Sequence, residues 1–495
     1  MIVKTDIDEF RDFLSDAANF KGSAEKVYFP ETEADLVSIL KECSAQKTKV
    51  TIAGNGTGVT GARVPQGGVV ISTSKLNKII EINETEKYAI VQTGVILNDI
   101  QDLAESKKLF YPPDPTERNC FIGATIATNA SGARTFKYGP TRNYVLSLRI
   151  VLADGETLTL ERGKIFAEKY VLNLITDSGK NIAINIPEYK MPPTKNSAGY
   201  YVKENVDAID LFIGSEGTLG VITEARLKLL DLPENLISCV LFFREEEDAL
   251  AFISEARKES YKSRDEKNTG KIDARGLEFF DVHSLGFLSD GYPSIPRLAK
   301  AAVWFEQEFT AENEKLLFDL WLELISSNRG DFDTAWFALN KTDYEKFKDF
   351  RHSISWQVNE YCASRGVMKV GTDTAVPQER FAEFYSQCKE LTKEARLNYV
   401  AYGHAGDSHI HLNMLPENME RYAAAREVYR QICRKAVEYG GTISAEHGIG
   451  KLKRDYLIDM CGLTFVKQMA RMKKQFDPDK ILGIGNIFDE KLLDE

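Results

Sequence analysis

Three of the chain's six histidines lie within the eight residues from His404 to His411, a density that indicates chemistry rather than packing. His409, His411 and Asn413 alternate, so a strand would present their side chains on one face. His404 stands before a glycine-aspartate turn. Such a turn would bring His404 and His411 together across a hairpin.

A carboxylate and a further histidine follow in the segment TISAEHGIGK, where Glu446 and His447 stand beside a glycine turn. Two imidazoles and one carboxylate suit a divalent cation such as zinc or manganese, with coordination positions left open for a substrate. Alone, each histidine would be interpreted as a hydrogen-bonded polar residue. Together they predict a metal site, because imidazoles and a carboxylate in one cleft need a cation to offset their desolvation.

A second motif with chemical potential is the glycine-rich string GNGTGVTG at residues 54–61, which follows a predicted strand. It contains the pattern GxGxxG, but the chain then continues through Pro65 and a Gly-Gly pair into the strand VVIST. The absence of a following helix excludes a Rossmann fingerprint, and no Gly-Lys-Ser/Thr follows to make a P-loop. The string predicts a backbone cradle for a pyrophosphate, with a ligand-free tight turn as the alternative.

The elements that would position these motifs change in character near residue 230. Before that point a helix at TEADLVSILKEC is followed by short β-branched runs, including a hairpin at Asp154-Gly155. DLFIG and VITEARLKLL are interpreted as two strands joined by a tight turn. Beyond Leu232-Pro233, long helical stretches such as NEKLLFDLWLELISS alternate with strands. We therefore expect a domain boundary near residue 230.

Composition narrows the functional classes. A net charge of -11 and a pI near 5.4 argue against a nucleic-acid partner. Apolar runs such as LISCVLFF are too short to form a transmembrane segment, and the opening residues lack the pattern of a signal peptide. The seven cysteines include no CxxC pair, which excludes the usual iron–sulfur and haem motifs. We expect a cytoplasmic protein, with peripheral membrane contact left open.

The string GNGTGVTG, the tract PDPTERNCFIGATIATNASGA and the turn GSEGTLGVIT together resemble one known domain. It is the FAD-binding domain of the vanillyl-alcohol oxidase and p-cresol methylhydroxylase (PCMH) superfamily, over about the first 230 residues. The resemblance implies FAD. Covalent attachment of FAD in this superfamily often uses a histidine. No histidine precedes His283, so we expect non-covalent FAD. Cys120 is the only nearby thiol to consider for such a bond.

The same resemblance implies three sets of cofactor-binding residues. The pyrophosphate set is Gly54, Asn55, Gly56, Thr57, Gly58 and Thr60. The set along the adenosine-to-flavin path is Pro113, Asp114, Gly123, Thr125, Asn129, Ser131 and Gly132. The set facing the ring or the ribose is Glu216, Gly217 and Ile222.

The strings GHAGDSHIHLN and AEHGIGK resemble the C-terminal domain of FAD-linked D-2-hydroxy-acid dehydrogenases, and FDPDKILGIGNIF resembles their closing motif. That group holds D-lactate, glycolate and D-2-hydroxyglutarate dehydrogenases. The implied fold is α+β, with a two-subdomain PCMH-type FAD-binding domain at 1–230. A substrate or cap domain with a large antiparallel sheet and the metal site follows at 231–455. A helical segment at 456–495 returns to the FAD domain.

Carried over by position, the resemblance makes His404, His411 and Glu446 the metal ligands and His447 the catalytic base. Asn413 and His447 become substrate contacts. Arg351 stands where the family binds the substrate carboxylate, which a guanidinium can pair with through two hydrogen bonds. The implied reaction removes a proton from the 2-hydroxyl and a hydride from C2, which passes to flavin N5, and it yields a 2-oxo acid. The family usually has Gly-Asn where this chain has Ser408-His409.

The segment MKVGTDTAVP bears on the substrate. Hydroxyglutarate dehydrogenases resemble one another in a lysine six residues before the proline; here that position is Gly371, and Lys369 is two residues away. This favours D-lactate, with D-2-hydroxyglutarate and glycolate as alternatives.

An alkyl-dihydroxyacetone-phosphate synthase-like FAD enzyme, using Tyr402, is a further alternative, and the intact histidine set argues against an inactive binding subunit. Electrons would pass to an external acceptor such as a quinone, a cytochrome or an electron-transferring flavoprotein. A homodimer is left open.

Overall fold

The computed structural model describes residues 1–494. Their N-terminal strands are β1 (Ile2–Lys4), β2 (Lys26–Phe29), β3 (Val50–Ala53), β4 (Val69–Ser72), β5 (Ile79–Asn83), β6 (Tyr88–Gln92), β7 (Leu109–Phe110), β8 (Val145–Val151), β9 (Thr157–Glu161), β10 (Val171–Ile175), β11 (Asn181–Asn185), β12 (Val221–Lys228) and β13 (Leu230–Asp231). The helices between them are α1 (Ile7–Phe10), α2 (Glu33–Gln46), α3 (Leu97–Ser106), α4 (Ile122–Thr128), α5 (Thr135–Tyr138) and α6 (Ala208–Phe212).

The later strands are β14 (Asn235–Phe243), β15 (Gly276–Asp281), β16 (Ala301–Phe309), β17 (Asp331–Phe337), β18 (Val370–Gly371), β19 (Tyr399–Gly403) and β20 (His411–Met414). The later helices are α7 (Glu246–Asp265), α8 (Val282–Leu288), α9 (Glu314–Ser327), α10 (Lys341–Ala363), α11 (Phe381–Glu394), α12 (Met419–Glu438), α13 (Arg454–Cys461) and α14 (Leu463–Phe476). Each helix within residues 1–494 is too short or too polar to span a bilayer.

Two sheets dominate the N-terminal region. The first has the order β1-β2-β4-β3, and its last three strands are parallel. The second is antiparallel with the order β5-β6-β12-β8-β9. The neighbouring parallel strands β3 and β4 are joined by the loop of residues 54–68 instead of a helix. This connection agrees with the exclusion of a Rossmann unit.

Side-chain capping and glycine turns set the ends of several helices and strands in this region. Helix α2 begins after Thr32, whose hydroxyl accepts the amide of Asp35 while the Asp35 carboxylate accepts the amide of Thr32. The hairpin between β8 and β9 turns at Gly155, which has a φ of 80°. The interpretation of DLFIG as a strand is wrong. Asp207 caps helix α6 there by accepting the amide of Ile209, and a short buried apolar run does not distinguish helix from strand.

The C-terminal region is organised by one antiparallel sheet with the order β17-β14-β16-β15-β19-β20-β18. Its seven strands confirm the predicted large antiparallel sheet and, with the N-terminal sheets, the α+β class. Helix α10 packs on this sheet through Phe350, whose ring centroid lies 4.9 Å from that of Phe280 on β15. Strands β15, β19 and β20 are consecutive neighbours, so residues at their ends lie close together.

The end of the chain returns to the first sheet after α14. The amide of Val50 on β3 donates to the carbonyl of Ile481 at 2.7 Å, and Gly483 donates back to Val50 at 2.9 Å. The buried Asp477 carboxylate accepts the amides of Ile481 and Leu482 and pairs with Lys473 at 2.6 Å. The closing motif therefore forms part of the core beside the glycine loop.

Candidate active site

The β19–β20 hairpin brings His404 and His411 together, as the spacing predicted. Their ring centroids are 5.6 Å apart. The Nε2 atoms of His404 and His411 lie 3.4 and 3.2 Å from the same oxygen, Oε1 of Glu446. The three proposed metal ligands thus converge on one point.

The other ring nitrogens explain why these Nε2 atoms face Glu446. Nδ1 of His404 lies 2.6 Å from Oε1 of Glu278, and Nδ1 of His411 lies 3.1 Å from the carbonyl oxygen of Thr372. Each acceptor fixes the proton on Nδ1 and leaves a lone pair on Nε2. Metal-binding histidines are oriented in this way, so the donor set fits a divalent cation.

Glu278 is a site residue that sequence reasoning missed. It lies on β15 with 1% of its surface exposed, and it contacts His404 on one side and Nε of Arg351 on the other. Burial alone would raise its pKa, but these two partners hold the pKa of Glu278 well below 4.5. The only sequence signal for Glu278 was a charged residue between the apolar residues of the predicted strand RGLEFFD.

Arg351 projects from α10 and is buried. Besides its contact with Glu278, its guanidinium carbon lies 5.4 Å from the centroid of the Tyr402 ring. Its Nη1 is buried and has no hydrogen-bond partner among residues 1–494. Because a buried guanidinium nitrogen is normally paired, Nη1 is available to an anionic ligand.

His447 is held by Asp373, a second residue that the sequence analysis did not select. Nδ1 of His447 lies 3.4 Å from Oδ2 of Asp373, and the backbone amide of His447 donates to the same oxygen at 3.0 Å. Lys453 pairs with this carboxylate at 2.6 Å. Burial lowers the pKa of His447 below 6.5, so the ring is neutral at neutral pH and can accept a proton. About 35% of its side chain remains exposed.

Glu446 also links the cluster to the N-terminal region. Its Oε2 lies 3.0 Å from Nζ of Lys195, and Ser131 donates its hydroxyl to the same oxygen at 3.1 Å. Ser131 was predicted on the flavin path, whereas Lys195, from the segment PPTKNSAGY, was missed because an isolated lysine carries no local signal. The cluster therefore lies where the loops of the two regions meet.

Asn413 and His409 lie beside this cluster. Asn413 is buried on β20 opposite Gly371, and its side-chain amide donates to the carbonyl of His411. The expectation that His409 shares this strand is wrong, because β20 begins at His411. Ser408 adopts a left-handed conformation with a φ of 55°, and the turn places the His409 ring 4.5 Å from that of His411.

The glycine turns of the N-terminal region also come together. A Cβ atom on Gly54 would lie 2.9 Å from Ala124 on α4, and one on Gly132 would lie 1.9 Å from the carbonyl oxygen of Asp114. The Asn55 side chain donates to the carbonyl of Asn119 at 2.8 Å. A Cβ on Gly58 would meet no atom of residues 1–494 within 4 Å, so this side of the loop is open. The open side at Gly58 has the space that a pyrophosphate needs beside the loop backbone.

Other predicted flavin-site residues have protein partners. Both oxygens of the Glu216 carboxylate accept backbone amides, from Ile449 and Gly450, each at 2.7 Å. Glu216 thus supports the turn that carries His447. Asn129 ends α4 in a left-handed conformation and accepts the amide of Arg142.

The remaining predicted flavin-site residues lie on the same loops, on α4 or on β12. Thr60 accepts the amide of Lys451, Thr125 bonds within α4, and Pro113 accepts the Gln101 side chain. Asp114 pairs with Arg134 at 3.3 Å, and Ile222 is buried on β12. Gly123 packs on Thr93, Gly217 on Ile52 and Gly56 on Arg63, and Thr57 lies in the same loop as Gly56.

Two family matches cover most of the chain. Residues 24–161 match the FAD binding domain, and residues 232–487 match FAD linked oxidases, C-terminal domain. The chain belongs to the FAD-linked oxidase family. This oxidoreductase therefore contains an FAD-binding domain, as the glycine turns predicted.

Relatives of this FAD-linked oxidoreductase match along its length. D-lactate dehydrogenase from Anaerostipes hadrus is 30% identical over 98% of this chain and 94% of the relative. Glycolate oxidase subunit GlcD from Bacillus subtilis (strain 168) is 30% identical over 95% of this chain and 90% of the relative. D-2-hydroxyglutarate dehydrogenase from Stutzerimonas stutzeri (strain A1501) is 27% identical over 98% and 96%. These relatives confirm the predicted dehydrogenase group.

Solved structures show the same fold. A 4-ethylphenol oxidase from Gulosibacter chungangensis superposes with a TM-score of 0.67 and 17% identity over 99% of this chain and 95% of that one. An alkyldihydroxyacetonephosphate synthase superposes with a TM-score of 0.66 and 15% identity over 97% and 81%. These likenesses confirm the predicted architecture.

Proposed function

We propose that this oxidoreductase is an FAD-dependent dehydrogenase that converts a small D-2-hydroxy acid, preferably D-lactate, to the 2-oxo acid. The observation that carries the proposal is the convergence of His404 and His411 on Glu446, beside His447 and an Arg351 nitrogen that has no partner among residues 1–494. The set offers separate positions for a cation, a carboxylate and a hydroxyl proton.

Each residue has a distinct role in this proposal. His404, His411 and Glu446 would hold a divalent metal, zinc or manganese. Nη1 of Arg351 would bind the substrate carboxylate, and Nε2 of His447 would accept the hydroxyl proton while Asp373 holds Nδ1. When bound, the flavin supplies the hydride acceptor and the metal supplies the positive charge that makes the 2-hydroxyl more acidic. Asn413 would contact the substrate from β20.

The residue at position 371 favours a monocarboxylate. Gly371 on β18 pairs with Asn413 on β20, and it stands where hydroxyglutarate dehydrogenases resemble one another in a lysine. Glycine supplies no cation for a second substrate carboxylate. We therefore prefer D-lactate or glycolate to D-2-hydroxyglutarate.

FAD would be held without a covalent bond by the three predicted sets of residues. Cys120 is buried, and burial raises the pKa of its thiol to about 12, so it is protonated and unreactive at neutral pH. Acid precipitation should therefore release the yellow colour, and colour retained in the pellet would contradict non-covalent binding.

The remaining parts of the proposal concern the acceptor and one alternative. The electrons would pass to an external quinone, cytochrome or electron-transferring flavoprotein. Tyr402, on which the synthase-like alternative depended, is buried with its hydroxyl 3.0 Å from Ser355 and its ring 6.2 Å from that of His411. We prefer the dehydrogenase because His404, His411, Glu446 and His447 are all in place.

An anaerobic titration tests the proposed function. FAD-loaded, metal-replete protein should lose its flavin absorbance with D-lactate and keep it with L-lactate. A panel of D- and L-2-hydroxy acids, followed by the same absorbance, ranks the substrates. Failure of every D-2-hydroxy acid to bleach the flavin would overturn the proposal.

A further inference from the structure

His409 is a buried imidazole that the proposed reaction does not use. Its side chain is fully buried, and neither ring nitrogen has a hydrogen-bond partner within the described residues. Buried polar atoms are paired in almost all proteins, because an unpaired one loses its hydration without compensation. An unpaired imidazole in this position therefore calls for a partner of its own.

The position of His409 indicates what that partner is. Ligand atoms of His404, His409, His411 and Glu446 all lie within 4.8 Å of one another. Ligands bound at 2.0–2.2 Å to one metal are separated by up to about 4.4 Å, so small side-chain adjustments would suffice.

The backbone on both sides of the His409 ring is held in place. The amide of His409 donates to the carbonyl of His404 at 3.2 Å, and His409 forms an isolated bridge with Ala375. Ser408 holds the left-handed turn between the two histidines. The fully buried ring packs with its centroid 5.4 Å from that of His404 and 4.5 Å from that of His411.

One rival partner exists within the protein. Nε2 of His409 lies 3.3 Å from Oδ1 of Asp373. This Oδ1 atom also accepts the amide of Glu446 at 3.2 Å, whereas Lys453, Ser444 and the amide of His447 donate to Oδ2. A role in which His409 only orients Asp373 would need no metal, so the two roles can be distinguished.

We propose that His409 is a third imidazole ligand of the metal, which completes a set of three histidines and one glutamate. The inference rests on the metal site of the proposed function. Four protein ligands would close a tetrahedral zinc site, so this set would suit an ion of higher coordination number, such as Mn²⁺, that can also bind the substrate hydroxyl.

Counting nitrogens tests this assignment without reference to activity. Cu²⁺ is loaded into the oxidised FAD holoenzyme as a probe, and pulsed electron paramagnetic resonance counts the coordinated imidazoles. We expect three in the unchanged protein, two in His409→Asn, and three in the control His283→Asn, whose histidine lies on α8. We also expect Mn²⁺ to bind His409→Asn at least about tenfold more weakly, with no change in the control.

The outcomes separate the two proposals. Two imidazoles in the unchanged protein would overturn the role of His409 and leave the three-ligand site standing. No specific metal binding would overturn both this inference and the metal of the proposed function. Because Nε2 of His447 lies 3.7 Å from Oε1 of Glu446, a count of three assigns His409 only together with a count of two in His409→Asn. A count of two in the unchanged protein overturns the role of His409 even if that variant fails to fold.

Discussion

The loop of residues 54–60 and the cluster around Glu446 lie in the same molecule but are built from different parts of the chain. Loop 54–60 presents its backbone, and the open space at Gly58 depends on missing side chains. The cluster presents side chains from separate segments, held by charges such as those of Glu278 and Lys195. An added methyl group should therefore weaken FAD binding by loop 54–60, whereas loss of a charge or an imidazole should lower the activity of the cluster.

The largest expected effect comes from removing a ligand of the cluster. His411→Ala should lower kcat with D-lactate by about 10³-fold, because the proposed metal would lower the activation barrier by several kcal/mol. The FAD content should not change, since the glycine turns do not use this ring. Steady-state kinetics and the FAD-to-protein ratio measure both. His283→Ala is the matched control, and a loss of FAD from His411→Ala would show that the two regions are not separable.

Arg351→Ala should have the next largest effect. Loss of a charge-assisted hydrogen bond to the substrate, worth about 1.5–3 kcal/mol, should lower kcat/KM roughly 10- to 100-fold for every 2-hydroxy acid. Arg365→Ala is the control, because Arg365 is exposed just after the same helix. An effect confined to one substrate would argue against binding of the shared 1-carboxylate.

Gly56→Ala tests the glycine loop. Gly56 has a φ of 83°, and a left-handed conformation costs a residue with a Cβ about 1–2 kcal/mol. A Cβ there would also lie 2.1 Å from Nη1 of Arg63. Since the strain is common to apoprotein and holoprotein, we expect the shift that the Arg63 contact forces on the loop to lower FAD affinity, by about tenfold, measured by fluorescence titration of apoprotein. Gly163→Ala, at a φ of 78° with open space around it, should strain the backbone without changing FAD affinity.

The smallest effect is expected for Lys369→Ala. Lys369 precedes β18 and is half-buried, and D-lactate has no second carboxylate for it to bind. We expect kcat/KM for D-lactate to change by less than about twofold. A clear preference for D-2-hydroxyglutarate that disappears in this variant would assign the enzyme to the dicarboxylate branch.

The difference between contiguous loops and clusters assembled from distant segments also explains how much of the site the sequence could predict. The glycine turns are contiguous strings, and the β19–β20 hairpin follows from a turn between His404 and His411, so both were predicted. Glu278, Asp373 and Lys195 are single charged residues whose role exists only after distant strands and loops meet. The strand predicted at DLFIG failed for a related reason, because burial by distant residues removes the periodicity that distinguishes helix from strand.

We propose that FAD binds to the glycine turns independently of the metal, whereas oxidation of the substrate requires the histidine cluster with its metal. The direct test is stopped-flow mixing of D-lactate with anaerobic, FAD-loaded protein before and after removal of metal by a chelator. We expect rapid bleaching of the flavin in the metal-replete protein, no bleaching in the metal-free protein with FAD still bound, and recovery on adding Mn²⁺. Equal bleaching rates in the two forms would contradict this proposal.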